Sequence, residues 1–464
     1  MSTPADAVST PAAAPEATSV PAPVPAPAPA PGSGAPTGPA GPSAPASGWA
    51  QAADSAAGRP VREGRTGPPE GAPARSRARE IEGLRGLAAL STVVFHVWQL
   101  YIRYDADGVH PPVSDNHLGS LISLEVIDLF FVMSAYLLTI SYARAAIDGG
   151  TTRPARSFLH RRAIRIVPLY FLAVLVVWAS RNPSLPGNWL DLAEHLTFTH
   201  VLDTDQIFYT IGPTWSLSLE MFFYLALVAL GPLAARACRP LRRRGSRVAV
   251  CAAGCALLYL LPVAWIAVAH YGLGLPHSDW PVYFGPQARF GGFATGMALA
   301  VLTVALGERG RLDRLPAAAL RVAALAGLYL LSLHTTDPEN AATTFFHPAA
   351  SVLWTVLLYA TVQVRRYGRW HRALRARWLT AVGLISYSLF IWHEPIMLEL
   401  DRAGLLPAGP GGFWAAVLIV LAVALPAATL SYWCVEYPSS LLSRLRDTRG
   451  RPRDFYPERP EPAG

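Results

Sequence analysis

Two ionisable side chains in the first apolar run have a spacing suited to joint work. Arg85 and His96 are 11 residues apart. At roughly 100° per residue that is three turns and about 20°, so both leave nearly one face of a helix. At about 1.5 Å of rise per residue they stand roughly 16 Å apart along its axis. Arg85 then sits near one membrane face and His96 deep in the hydrocarbon, where ionisable groups are costly and turn toward a protein interior or a wet cavity. A neutral imidazole at that depth is a base suited to pH 7, or a structural ring bonded to a neighbouring helix. Ser216 and Glu220, at i and i+4, meet on one face of another apolar run, and a glutamate there has to be paired or protonated. Arg162 and Arg165, at i and i+3, share a helix face at the start of a third run. Their guanidinium forks suit phosphate groups, or they anchor a loop at the cytoplasmic surface.

The elements that carry these residues are apolar spans. Of the 464 residues 52% are hydrophobic and only 15% charged, too apolar for an ordinary soluble enzyme. The surplus falls in ten runs long enough to cross a bilayer: 84–102, 121–140, 164–180, 214–232, 248–269, 282–306, 317–333, 349–364, 379–400 and 413–436. The expected fold is therefore all-α, a polytopic membrane bundle of about ten helices. All 39 basic residues are arginine. They gather in alternate loops, as in Arg239, Arg242, Arg243 and Arg244, while the other loops hold acids such as Asp203 and Asp205. Ten spans with both termini in the cytoplasm satisfy this alternation at every crossing, so the net charge of +8 reads as a positive-inside pattern rather than a nucleic-acid surface.

Residues 1–78 are rich in Pro, Ala, Gly, Ser and Thr, with no Leu, Ile, Phe or Tyr before Ile81. Such a segment cannot bury enough apolar surface to offset its ordering entropy, and reads as a disordered cytoplasmic tail. The expected membrane domain is 79–438, followed by a short polar cytoplasmic tail at 439–464. Cys238, Cys251, Cys255 and Cys434 show no metal-type spacing, and Cys251 and Cys255, at i and i+4, read as small buried apolar residues.

The Arg85–His96 spacing within Glu82-Gly-Leu-Arg-Gly resembles the opening signature of the acyltransferase-3 family of integral-membrane acyltransferases, with Glu82 where that family usually has Asp. Five further stretches match its pattern in order. One is Asp128-Leu-Phe-Phe-Val-Met-Ser134-Ala, with Ala135 where Gly is usual. Others are Arg162-Ala-Ile-Arg165, and Trp215-Ser216-Leu-Ser-Leu-Glu220 ending in Phe223-Tyr224. Gly383-Leu-Ile-Ser-Tyr387 continues to His393 and Pro395, and Ser431-Tyr ends at Glu436-Tyr-Pro438. Arg289 is similar to an arginine of the family's sixth span.

The resemblance implies transfer of an acyl group, commonly acetyl, from cytosolic acyl-CoA to a hydroxyl. Acyl-CoA would be a co-substrate, with no bound cofactor and no metal. His96, Arg85 and Glu220 would be catalytic. Arg162, Arg165 and Arg289 would hold the donor. Glu82, Asp128, Ser134, Trp215, Ser216, Tyr224, Tyr387, His393 and Glu436 would support them. The expected partners are membrane lipid and a glycan or small-molecule acceptor, with no nucleic acid, and the expected location is the plasma membrane. Family members modify cell-surface polysaccharides, peptidoglycan, lipid-linked sugars and macrolides, mostly with acetyl groups. A rival reading is a proton-coupled transporter or an exporter of polysaccharide precursors, since buried Arg, His and Glu suit that too. Inverted repeats, usual in such carriers, are not evident in this sequence. The alternation of loop charge predicts the topology. Single cysteines in the 203–205 loop should label from outside intact cells, and cysteines at 242–244 only after permeabilisation. The reverse pattern would overturn the ten-span scheme.

Overall fold

The structure is a computed structural model, which describes residues 73–441 apart from 106–107, 114, 123, 153 and 335–340. Most of the expected N-terminal tail, the loop residues Arg153, Asp107, Asp337 and Glu339, and nearly all of the C-terminal tail lie outside the described residues. Helix α1 (Pro73–Leu100) leads into a two-stranded antiparallel hairpin, β1 (Arg103–Asp105) with β2 (Gly108–His110), in which Arg103 stands opposite His110. Then follow α2 (Asn116–Ile122), α3 (Ile127–Asp148), α4 (Ala155–Arg181), the short α5 (Trp189–Thr197), α6 (Trp215–Cys238) and α7 (Arg244–Ala267). The second half holds α8 (Trp280–Phe284), α9 (Pro286–Leu306), α10 (Arg314–Ser332), α11 (Ala341–Thr344), α12 (Phe346–Val362), α13 (Arg369–Leu374), α14 (Arg377–Leu384), α15 (Ser386–Arg402) and α16 (Phe413–Ser431).

The expected all-α polytopic bundle is what forms. Among the described residues, seven stretches are long and apolar enough to cross a membrane, or eight if the bent pair α14–α15 makes one crossing. The expected count of ten exceeds this by the first and eighth runs, and each falls short for a physical reason. The apolar part of α1 is diluted by Arg85, His96 and Gln99, the polar groups that line its cavities. Helix α12 has 17 residues, about 25 Å at ~1.5 Å per residue, against a hydrocarbon core of about 30 Å. The ninth run, expected as one span over 379–400, is broken at Ile385, where α14 and α15 meet at 73°.

That bend follows from how α1 packs. A Cβ on Gly83 would stand 1.9 Å from the Leu374 carbonyl oxygen, and one on Gly86 2.2 Å from that of Leu379. From the other side, a Cβ on Gly383 would stand 2.0 Å from the Glu82 carbonyl oxygen. Three glycines thus bring α1 into backbone contact with α13 and α14. Small residues are the usual means of close approach where lipid removes any hydrophobic drive between helices. Arg375 Nε lies 2.7 Å from Glu80 Oε1 and pairs the two segments electrostatically. α14 therefore lies flat against α1, and α15 turns away into the bundle. α3 packs along α9, α10 against α12, and α15 against α16. The Phe223 and Phe293 rings stack at 4.5 Å in the main apolar core.

The segment between α5 and α6 is held by a buried polar cluster. Asn188 caps α5 by accepting from the Asp191 backbone N–H at 3.1 Å. Asp191 Oδ1 lies 2.9 Å from His195 Nδ1, and Thr210 donates to Asp191 Oδ2. The His195 and His200 rings stack at 3.9 Å. Burial, then the charge of His195, push His200 down to about 2, so it is a neutral ring at physiological pH. The cluster ties down the chain that enters α6 at Trp215.

The glycine contacts predict the effect of adding one methyl group. Gly83→Ala or Gly86→Ala should separate α1 from α13 and α14, at a cost of at least the ~1–3 kcal/mol usual for overpacking. Thermal unfolding of purified protein should show a lowered midpoint. Gly254→Ala, where a Cβ meets nothing within 4 Å, should leave it unchanged or raised.

Candidate active site

Two cavities lie along α1. The larger, of about 560 Å³, is lined by Glu82 and Arg85 of α1, Ser134 and Arg144 of α3, and Arg161, Arg162 and Arg165 of α4. α6 contributes Ser216, Glu220 and Tyr224, and α15 contributes Ser386 and Tyr387. Five arginines against two glutamates make it a positively charged chamber. Its side chains form a relay. Arg162 and Ser134 adjoin the Tyr224 hydroxyl, and Ser134 Oγ donates to Glu220 Oε1 at 2.7 Å. Arg85 has Arg165, Glu220, Glu436 and Tyr224 as its charged and polar neighbours. Glu436 stands on a wide helical turn, Tyr432–Glu436, that follows α16, and it accepts from Ser388 Oγ at 3.0 Å. Tyr387 donates to the Ile166 carbonyl at 2.8 Å and so fastens α15 to α4. Each carboxylate of the chamber thus answers a cation or a hydroxyl, as charge in an apolar bundle requires.

The smaller cavity, of about 260 Å³, lies further along α1 and holds His96. The tautomer of His96 follows from its neighbours. His393 Nδ1 lies 2.8 Å from the Phe390 carbonyl oxygen and 3.1 Å from that of Leu389. Carbonyls only accept, so that nitrogen carries hydrogen, and Nε2 of the neutral ring is a lone pair. His96 Nδ1 lies 3.1 Å from this Nε2 and 2.8 Å from the Thr92 carbonyl oxygen. Both are acceptors, so His96 Nδ1 carries hydrogen and its Nε2 is left unprotonated. His96 is thereby a neutral imidazole with one basic nitrogen, oriented by α15. Ile127 and Phe390 line both cavities and form the wall between them.

The structure brings Arg85, Arg162, Arg165, Glu220, Glu82, Ser134, Ser216, Tyr224 and Tyr387 to the larger cavity and His96 and Trp215 to the smaller. His393 stands behind His96. Ser216 shares the chamber with Glu220 but donates to the Pro213 carbonyl at 3.0 Å; the hydroxyl on Glu220 is that of Ser134. Arg289 is not brought to the other arginines. It is 3% exposed and lies over the rings of Tyr283 at 4.3 Å, Phe284 at 4.9 Å and Trp215 at 5.7 Å. Its charge faces Glu125 and Asp128. Asp128 Oδ2 meets His347 Nδ1 at 2.8 Å.

Sequence reasoning assigned no role to Glu125, Glu394, Gln99 or His347. Their signal was present: each is a polar or ionisable residue in or beside an apolar run, and Glu394 adjoins His393. No periodicity says which cavity such a residue faces. The histidine pair carries a testable consequence. His393→Ala should free the His96 ring and lower kcat by at least about tenfold, within the ~10²–10⁴-fold that a general base supplies, with donor KM unchanged. His393→Gln, whose side-chain oxygen can accept from His96 Nδ1, should recover part of the loss. Equal loss in both variants would exclude a positioning role.

The acyltransferase-3 family model, described as an acyltransferase domain, matches residues 79–433. The chain is similar to the acyltransferase MdmB of Streptomyces mycarofaciens, 28% identical over 408 residues, covering 83% of this chain and 97% of that protein. It is also similar to the O-acetyltransferase OatA of Staphylococcus aureus, 22% identical over 384 residues, covering 77% of this chain and 56% of that one. No solved structure matches the chain. A multi-pass helical bundle with the motif series in order, matched by the family over most of its length, resolves the choice between transfer and transport: the chain belongs to the acyltransferase-3 family of membrane acyltransferases.

Proposed function

We propose that the protein moves an acyl group, commonly acetyl, from cytosolic acyl-CoA to a hydroxyl of a carbohydrate, cell-envelope or secondary-metabolite acceptor. The observation that carries this reading is the pair of cavities sharing the wall Ile127–Phe390, one basic and one holding an oriented His96. Arg162 and Arg165, with Arg85, hold the phosphates of the donor in the larger cavity through bidentate charge-assisted bonds. The pantetheine arm runs along α1, and the thioester arrives at the Ile127–Phe390 wall. The roughly 16 Å from Arg85 to His96 along α1 suits that arm.

In the direct form of the reaction, His96 Nε2 takes the proton of the acceptor hydroxyl as its oxygen attacks the thioester carbonyl. A C–O bond forms, the C–S bond breaks, and the proton passes from His96 to the departing thiolate. Release of CoA by the wild-type protein in the absence of acceptor, lost in His96→Ala, would mark an acyl-histidine intermediate and separate it from this path. Glu220, held by Ser134 and facing Arg85, keeps the guanidinium aimed into the chamber. Arg289 organises the aromatic wall of the smaller cavity instead of holding donor. The Arg-rich loops support a plasma-membrane enzyme with both termini in the cytoplasm, which puts the basic chamber on the cytosolic side.

The division of labour is open to test. His96→Ala should abolish product and leave acyl-CoA binding within about twofold. Arg162→Ala with Arg165→Ala should weaken donor binding, each lost charge-assisted contact contributing ~1.5–3 kcal/mol, or roughly ten- to a hundredfold, and high donor should partly restore the rate. Arg→Lys should rescue poorly, because a point charge does not reproduce the fork. Donor affinity on purified protein decides it. Loss of donor binding in the His96 variant, with retention in the double arginine variant, would invert the roles.

A further inference from the structure

The smaller cavity differs from the larger in charge as well as size. Its ionisable lining, besides His96, is Glu125 and Glu394, and no arginine lines it. Basic groups stand behind it: Arg289 is buried over the Trp215 and Phe284 rings, His347 Nε2 lies 3.7 Å from Glu125 Oε2, and Arg181 acts on Glu394 from outside the lining. Glu394 is held in place. Its Oε2 accepts from the Gly212 backbone N–H at 2.7 Å, and a Cβ on Gly212 would fall 2.5 Å from its Oε1. Position 212 therefore has to be glycine for the carboxylate to lie against the backbone. Glu125 is 28% exposed. The rest of the lining is largely aromatic. The Trp215 and Phe284 rings lie 4.4 Å apart, with Phe208 set edge-on to Phe284 at 5.7 Å. Gln99 adds an amide donor and acceptor.

The geometry points to the smaller cavity as the acceptor subsite, shaped for one uncharged sugar ring and set against anionic acceptors. This rests on the acyl-transfer reading above and names the substrate class of its second half. Carboxylate oxygens accept from ring hydroxyls, and aromatic faces pack on the apolar C–H face of a ring. At about 260 Å³ the space is below the ~300–1,000 Å³ of pockets for drug-sized ligands, so it admits one ring rather than two. A uronate or phosphate-bearing ring would bring its charge out of water against two carboxyl groups, in a lining with no arginine to pair it. The ring seated here offers a hydroxyl to His96 Nε2 at the Ile127–Phe390 boundary shared by the two cavities, where the thioester arrives from the larger one. The rest of a glycan or of a small glycosylated molecule remains outside the cavity.

Saturation-transfer NMR on the full-length protein in lipid nanodiscs tests this, with methyl glucoside and methyl glucuronide as probes and acyl-CoA binding measured in parallel. Methyl glucoside should bind, and methyl glucuronide at least tenfold more weakly. Glu394→Gln and Trp215→Ala should each lower glucoside binding by roughly tenfold or more while leaving acyl-CoA binding unchanged. Gly212→Ala should behave as Glu394→Gln does. The Arg162→Ala, Arg165→Ala double variant should keep glucoside binding. Equal or tighter binding of the glucuronide, no binding of either sugar, or indifference to the three cavity variants would overturn the subsite. Correct sugar behaviour with acyl-CoA binding that ignores the double arginine variant would support the subsite and overturn the donor assignment alone.

Discussion

Backbone contact between α1 and the α13–α14 segment is the constraint on which the site depends. α1 carries Arg85 and His96, and both have to face the bundle interior at fixed depth. A helix in an apolar surround has no hydrophobic drive to settle one face inward, so its rotation is set by close packing. Gly83, Gly86 and Gly383 supply that packing by letting backbone meet backbone. With α1 seated, the turn at Ile385 directs α15 inward, where Tyr387 fastens it to α4 and His393 reaches His96. The His96 ring is thus oriented by the same contact that fixes the helix.

Charge is sorted along α1 rather than scattered through the bundle. At one level five arginines surround a chamber with two glutamates; further along, Glu125 and Glu394 border a pocket that no arginine lines. Bringing isolated charges into such a setting is costly. The structure answers with partners: Ser134 and Arg85 for Glu220, Ser388 for Glu436, a backbone N–H for Glu394, and His347 for Asp128. The wall of Ile127 and Phe390 keeps the two fields apart. On the proposed reading, that separation lets an anionic donor meet the arginines and a neutral acceptor meet hydrogen-bonding carboxylates before the two meet each other.

Arg289 shows how a shared residue type hides different surroundings. Arg162, Arg165 and Arg289 are all arginines at the edge of or inside apolar runs. The first two line an open chamber, whereas the third is sealed beneath Tyr283, Phe284 and Trp215 and faces two carboxylates. Cation–π contact with three rings stiffens the aromatic wall that closes the smaller cavity.

The amino-acid sequence by itself determined the membrane bundle, the order of its apolar runs and the motif series that marks the family. These are local properties: hydropathy over about 20 residues, loop charge, and side chains a few residues apart on one helix. Local spacing also put Arg85 and His96 on one face, and α1 keeps them on one continuous helix. Only the tertiary structure decided what depends on helices meeting from distant parts of the chain. His96 finds His393 across 297 residues, and Ser134 rather than Ser216 bonds Glu220. Arg289 leaves the other arginines, and the ninth apolar run breaks where glycine contact holds α14 to α1. Helical periodicity says which residues share a face; which face meets which is set by the packing of the whole bundle.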